Sequence, residues 1–388
     1  MRWTLAVASG VAVANIYYNE PMLADIGRDL HADPHQTGLI ATFTQLGYAA
    51  GMPVFIPLGD FVNRRNLVAA LFAAVACALA AAALSPSLTW IVAASFCIGL
   101  TTVIAQILIP LATELAPPAE QGRTIGAILT GVLLGILLAR TVSGIVAEHF
   151  GWRIMFWAAA GGAVLFAIIL RTRLPEMKPH AHITYPELMR SMWTLLVELP
   201  KLRQVSLVAA MFFACFSAFW TTLVFLLQTP PYHYGAQAAG LFGLIGATGA
   251  SVAGISGRMS DRRSPRFVIS IALAVLFLSF AVFWAVPFHL SGLIAGVVLL
   301  DAGVQGAQVA NQTHVLSLRP EARNRVNTIY MISYFGGGSI GSLFGSYFWS
   351  RWGWNGVCAA GFGFLLVAVI AVLSRGPGPV SAPVRKSA

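Results

Sequence analysis

The chain has 388 residues, of which 57% are hydrophobic and only 10% charged, against roughly 25% charged in soluble domains. No soluble fold of this length could hide that much apolar surface, which excludes a water-soluble enzyme or binding domain and leaves the bilayer as solvent. The formal charge of +10 would fit a nucleic-acid partner only if the cations formed one continuous face; instead they come as short clusters between apolar runs.

A spanning helix needs about 20 predominantly apolar residues, and windows of that kind predict twelve. The first, 5–27, opens behind Arg2 like a signal peptide, yet the run continues through Tyr17 to Ile26 with no small-residue cleavage site, so it is expected to remain as a span. It carries Asn15, Tyr17 and Glu20. The second, 37–58, carries Gln45 and leads into Asp60, Arg64 and Arg65. His31 and His35 before it have a metal-like spacing, but Pro34 breaks the helix that would align them, and no metal site is expected. Spans at 66–85, 88–114 (with Gln106), 122–147 (with Arg140) and 153–171 complete a first group of six.

A polar segment, 172–203, follows, in which Tyr185 to Leu199 reads as a short amphipathic helix lying at the interface. The seventh span, 204–228, is aromatic, with Phe212, Phe213, Phe216, Phe219 and Trp220. The eighth, 237–257, leads into Arg258, Asp261, Arg262 and Arg263. A ninth, 266–287, precedes a tenth, 290–316, with Asp301, Gln305, Gln308 and Gln312. Spans at 325–349 and 354–373 and a tail, 374–388, end the chain. The expected organisation is a six-helix half at 1–171, a linker at 172–203, a second half at 204–373 and the tail. Cys77, Cys97, Cys215 and Cys358 each sit in a separate apolar run and read as small core residues.

If the N-terminus is cytoplasmic, every Lys and Arg except Arg28, Arg140, Arg153 and Arg351 falls on the cytoplasmic side. The positive-inside rule therefore predicts both termini inside a bacterial-type inner membrane. The halves also match at a fixed offset: Ala105-Gln106 recurs as Ala307-Gln308, Arg123 as Arg325 and Gly151-Trp152 as Gly353-Trp354, each 202 positions later. Parallel six-helix repeats are a recurring design of secondary transporters, in which two like halves rock about a central site.

Asp60-Phe61-Val62-Asn63-Arg64-Arg65 after the second span resembles the Gly-x-x-x-Asp-Arg-x-Gly-Arg-Arg loop of the major facilitator superfamily, with Ile56 and Phe61 where Gly and Arg are expected. Gly257-Arg258-Met259-Ser260-Asp261-Arg262-Arg263 looks like its second copy. Pro21-Met22-Leu23-Ala24-Asp25-Ile26 is similar to the drug:proton antiporter group, and Asn15-Ile16-Tyr17-Tyr18-Asn19-Glu20-Pro21 to a bacterial branch of exporters. The resemblance implies an all-α integral membrane fold of twelve helices in two pseudo-symmetric bundles, and a cytoplasmic gate at Asp60, Arg64, Arg65, Asp261 and Arg262. Two departures stand out. Ser95 occupies the place of the group's fourth-helix arginine, and the fifth-helix signature has lost its proline and gained Arg140.

Charges inside a span are costly and face a cavity or a partner. At about 1.5 Å per residue, Glu20 and Arg140 share a depth roughly 9–12 Å below the outer surface, so they read either as a coupling pair released in turnover or as a permanent lock. Asp301 lies deeper. Spacings of 4, 3 and 4 put Asp301, Gln305, Gln308 and Gln312 on one stripe, expected to line a substrate cavity with Asn15, Tyr17, Gln45, Gln106, Phe216 and Trp220; polar glue between helices is the alternative. Gly131 with Gly135, and Gly337, Gly341 and Gly345, are spaced for close approach and, in a rocking carrier, for the moving interfaces.

No Gly-rich phosphate loop is present, so neither ATP nor another cofactor is expected. The reading is a monomeric secondary transporter, exporting small amphipathic molecules in exchange for protons. A uniporter or importer of a small polar or anionic solute, with Arg140 as clamp, is the first alternative. An intramembrane enzyme or lipid-handling receptor is the second, disfavoured because His289 and His314 are poorly placed as bases.

Overall fold

A computed structural model describes residues 1–117, 120–176, 184–246 and 264–374, whose regular structure is helix joined by short turns. The first span is interrupted. Helix α1 (Arg2–Tyr17) gives way to a 3-10 turn (Glu20–Met22) before α2 (Leu23–Asp29) continues. Pro21 has no N–H to donate into a helix, so the ladder must loosen at this point. Helix α3 (Pro34–Phe61) starts on a capping box in which the Gln36 N–H donates to Asp33 Oδ1 at 2.8 Å. Helices α4 (Arg64–Ala83), α5 (Leu88–Thr101) with α6 (Ile104–Leu115), α7 (Gln121–Phe150) and α8 (Trp152–Arg173) complete the first half. The predicted fourth span is thus two helices, broken at Thr102-Val103.

Helix α9 (Tyr185–Glu198) is the helix expected between the halves, and the Thr184–Glu187 capping box starts it. The second half holds α10 (Pro200–Gln228), α11 (Ala236–Gly246), α12 (Pro265–Ala285), α13 (Leu290–Leu318) and α14 (Arg323–Leu373). The last, at 51 residues, crosses twice and bends at Gly353 (φ 57°, ψ −146°). Nine helices among the described residues are long and apolar enough to span. With α14 counted as two passes, the broken first span, and α11 as the start of the eighth, the twelve expected spans are accounted for.

The repeat is written in the backbone. Gly151 (φ 87°) ends α7 as Gly353 ends the first arm of α14, and the non-glycine residues at positive φ among those described are His31 (53°) and His233 (49°). Both pairs stand 202 positions apart, so corresponding turns of the two halves adopt the same rare left-handed conformation. A chance resemblance between two bundles would not reproduce it.

Helix α10 is the centre of the molecule: its whole apolar window is buried, whereas most of the windows of α7 and α8 face outward. The closest backbone-to-backbone approaches lie within halves. Side chains at Gly131 and Gly135 would strike the backbone of Ala6 and Gly10 on α1, and side chains at Gly337 and Gly341 that of Ala210 and Ala214 on α10. The expectation that these glycines form the moving interfaces is therefore corrected, since each row binds two helices of one half. Cys215 and Cys358 are buried as expected, but Cys77 and Cys97 lie on the outer surface.

Candidate functional site

The cross-half contacts fall toward the end of the bundle opposite Arg64. One seam joins α3 to α14: Ser339 Oγ donates to the Thr42 carbonyl at 3.0 Å, His35 meets Tyr347 edge-on at 5.4 Å, and Gly38 lies against Ser346. The other joins α7 to α11: Thr141 Oγ1 donates to the Gly240 carbonyl at 3.2 Å, and a side chain at Gly144 would strike the Ala236 carbonyl and approach Gly240. Gly38 and Ser346 are the 202-offset mates of Gly240 and Gly144, so the two seams are one contact used twice. Glu148 closes the second seam by accepting the Gln237 N–H at 2.7 Å, at the N-terminus of α11, where a carboxylate is favoured.

At the Arg64 end, no ion pair among the described residues joins the two halves. Arg64 binds Asp60 at 2.8 Å and Glu114 at 2.6 Å, and Arg65 binds Glu176. Of the expected gate, Asp60, Arg64 and Arg65 are thus tied to one another's neighbourhood, with Glu114, which the loop motif does not include, as the fourth member. Asp261 and Arg262 lie outside the described residues.

Glu20 and Arg140 meet between the seams. The 3-10 turn swings Glu20 toward α7, and Arg140 Nε donates to Glu20 Oε2 at 2.5 Å, with the Arg140 and Glu20 side chains 2% and 3% exposed. The guanidinium carbon lies 4.1 Å from the Trp220 ring centre, 4.7 Å from Tyr17 and 5.4 Å from Phe216. Aromatic faces attract a cation, more strongly where water is excluded. The aromatic run of α10 therefore seats the arginine. The backbone leaves room for it, since a side chain at Gly240 would strike the Arg140 carbonyl and one at Gly243 would press on Arg140 Cβ. Gly246, one turn further, faces the Asp301 carboxylate, and the charges that act on Asp301 are those of Arg140 and Glu20. One glycine row on α11 thus runs from the pair to Asp301.

The repeat mates of Glu20 and Arg140 are Thr222 and Ser342, both small hydroxyls. Ser342 bonds Thr221 Oγ1 at 2.9 Å and accepts from Gln45 Nε2 at 3.4 Å. The charged pair is a departure from the symmetry, confined to one of two equivalent places.

Several buried polar atoms here have no hydrogen-bond partner among the described residues: Arg140 Nη2, Trp220 Nε1, Asp301 Oδ2 and both amide atoms of Asn15. Each costs about 1–3 kcal/mol if left so; a solute or water would supply the missing partners.

The remaining expected cavity residues are dispersed. Gln45 is 2% exposed and accepts from Ser217 Oγ at 3.2 Å, so it stitches α3 to α10 and α14. Gln106 donates to Tyr48 at 3.4 Å, Gln308 accepts from Tyr334 at 3.3 Å, and Gln312 donates to Asn327 at 3.0 Å. The stripe on α13 is half-buried, with two of its glutamines bonded to α14.

Residues 5–318, and again 256–388, match the family model described as Major Facilitator Superfamily. An uncharacterized transporter, YgaY, of Escherichia coli O157:H7 is 40% identical over 366 residues, covering 94% of this chain and 93% of that protein. A probable transporter, SCO4007, of Streptomyces coelicolor is 35% identical over 382 residues, covering 96% and 86%. Among solved structures, a bacterial homolog of the human lysosomal transporter Spinster, in an inward-facing and occupied conformation, has a TM-score of 0.74 at 16% identity, with 96% and 94% of the chains covered. A peptide transporter in complex with alafosfalin has a TM-score of 0.76 at 15% identity, covering 96% and 93%.

Proposed function

The chain belongs to the Major Facilitator Superfamily, and from that premise we propose that this multi-pass membrane transporter exports small amphipathic molecules by alternating access, with protons entering in exchange. It moves solutes and is not an enzyme. The observation that carries the proposal is the buried Glu20–Arg140 pair, held between the two seams where the halves touch. Opening the far end separates α7 and the Glu20 turn together from α10 and α11, taking Arg140 off the Phe216 and Trp220 faces. Water then reaches the pair, and Glu20 takes a proton and lets Arg140 go. The vacated Phe216 and Trp220 faces receive the apolar part of a solute, since such pockets are mostly apolar with a few placed polar groups. Closing the far end reseats Arg140, and the pair re-forms as Glu20 releases its proton on the other side.

The reading includes both termini in the cytoplasm, one chain as the working unit, and the boundaries at 171, 203 and 373 as those of the halves. Arginine placement supports the orientation. A cysteine placed at position 180 should resist an impermeant thiol reagent in intact cells, whereas one at position 233 should react; the reverse would overturn the topology.

A second reading has its own support. Arg140 Nη2 and Trp220 Nε1 are donors without partners among the described residues, an arrangement that would suit a small carboxylate. Counterflow in proteoliposomes separates the two. Exchange of a labelled aromatic cation such as ethidium, stimulated by an imposed proton gradient, is the expected result. Exchange of salicylate alone, insensitive to the gradient, would select the anion reading, and exchange of neither would overturn both.

A further inference from the structure

Far from the Glu20–Arg140 site, at the Arg64 end of the second half, the starts of α10 and α12 and the ends of α13 and α14 enclose a cavity of about 220 Å³. Three basic side chains, Lys201, Arg266 and His314, converge on it from three helices, and no carboxylate lines it among the described residues. Lys201 and Arg266 act on each other and on the His314 ring as like charges. Bringing like charges together is unfavourable unless an anion completes the set.

The inner end of the cavity makes the same demand independently. Asn311 is 0% exposed, and neither its Nδ2 nor its Oδ1 has a hydrogen-bond partner among the described residues. A buried amide is normally satisfied, and the cavity is the space this one lines. The rest of the lining is largely apolar and includes Val205, Val208, Ile269 and Val372. The rim is also held in place: Lys201 Nζ donates to Gln204 Oε1 at 2.7 Å, and the Gln204 amide donates to the Ala371 carbonyl at 2.6 Å.

From these observations we propose that this cavity binds the phosphate headgroup of an anionic phospholipid. Its volume is below the roughly 300–1,000 Å³ of sites that enclose a whole drug-sized ligand, which fits a headgroup whose chains run elsewhere. Phe267 and Ile271, on the same stretch of α12, are 39% and 38% exposed and offer those chains an apolar track. The basic groups sit at helix ends, the depth at which headgroups lie, and basic pockets between membrane helices favour acidic lipids. Lys201 and Arg266 hold the phosphate oxygens, while the Asn311 amide meets the part that enters deepest.

The test uses the full chain purified in a neutral detergent and titrated with phosphatidylglycerol or with phosphatidylcholine of the same chains, bound lipid being counted by native mass spectrometry. Phosphatidylglycerol should bind at least about tenfold tighter. At about 1 kcal/mol per cation, the double variant K201Q/R266Q should lose about ten- to thirtyfold of that affinity. Arg266 is exposed, so R266Q alone is a milder variant whose folding is secure, and it should lose part of the preference. Arg173 lies at the same end but outside the cavity, and R173Q should leave the preference intact. Equal binding of the two lipids, or a preference that survives in K201Q/R266Q or falls equally in R173Q, would overturn the proposal. So would protection against thermal unfolding by millimolar inorganic phosphate as strong as by phosphatidylglycerol, since the site would then serve a soluble anion.

Discussion

Arg140 is held by one hydrogen-bonded carboxylate and three aromatic faces, so its removal and the removal of its partner have different consequences. Glu20→Gln leaves a buried cation without its hydrogen-bonded carboxylate, and Arg140→Leu leaves a buried carboxylate without its cation. Breaking such a pair from one side costs about 3–5 kcal/mol, whereas replacing both partners is often nearly neutral. The double variant should therefore be more stable than the two single losses add up to, as read by thermal unfolding in detergent. Additive losses would mean that the contact contributes nothing. Transport decides the role: if Glu20 carries the proton, the double variant recovers stability and solute exchange but not gradient-driven accumulation. Asp301→Asn keeps volume and removes charge; proteoliposome uptake should fall at least tenfold while the folded yield holds. At this scale the sequence was informative wherever a charge stood inside a span, because such a charge must find a partner and depth restricted the choice to Glu20 and Arg140. It was uninformative about the glycine row on α11 that seats Arg140 and Asp301, because a glycine's partner depends on which helices meet.

The helices are fastened by rows of small residues, and the rows show which surfaces slide and which do not. Ala210, Ala214 and Ala218 on α10 face Gly337, Gly341 and Gly345 on α14, so backbones touch along three turns with no side chain between them. Gly341→Leu must push the Ala214 carbonyl away, and overpacking of this kind costs about 1–3 kcal/mol; lower thermal stability with a lower folded yield is the expected outcome. The spacing of these glycines was legible, but their assignment to moving surfaces was not, since periodicity marks a face and leaves its partner unnamed. The seams between the halves are the surfaces that must part. The α7–α11 seam is held by the Thr141 hydroxyl on the Gly240 carbonyl and by the Glu148 carboxylate on the Gln237 N–H. Glu148→Gln weakens a charge-assisted bond without changing shape, so it should favour the state open at that end. The expected readout is faster alkylation of a cysteine introduced at Thr141, which faces the Gly240 carbonyl across the seam, with folding unchanged; an unchanged rate would remove Glu148 from the gate.

At the scale of the whole molecule, the repeat carries the argument. Twelve apolar windows and the 202-residue offset made the two-bundle architecture readable from sequence, and the mated left-handed turns at His31 and His233 express the same duplication in three dimensions. What the offset could not tell is which end of the bundle is shut, because closed and open states use the same helices and differ only in which contacts are made. Here the mated seams, α3 with α14 and α7 with α11, lie at the end away from Arg64, while Arg64 and Arg65 spend their charges inside the first half and the linker. A rocking carrier in this state should be trapped by joining the far seam. With the two exposed cysteines, Cys77 and Cys97, replaced by serine, cysteines introduced at His35 and Tyr347, whose rings are 5.4 Å apart, should be linked by a short bifunctional thiol reagent. Transport in proteoliposomes should stop on linking and return when a cleavable linker is cut, and saturating substrate should slow the linking if it drives the far end open. Full transport after complete linking would mean that the seam never opens, and that the two halves do not rock about the site between them.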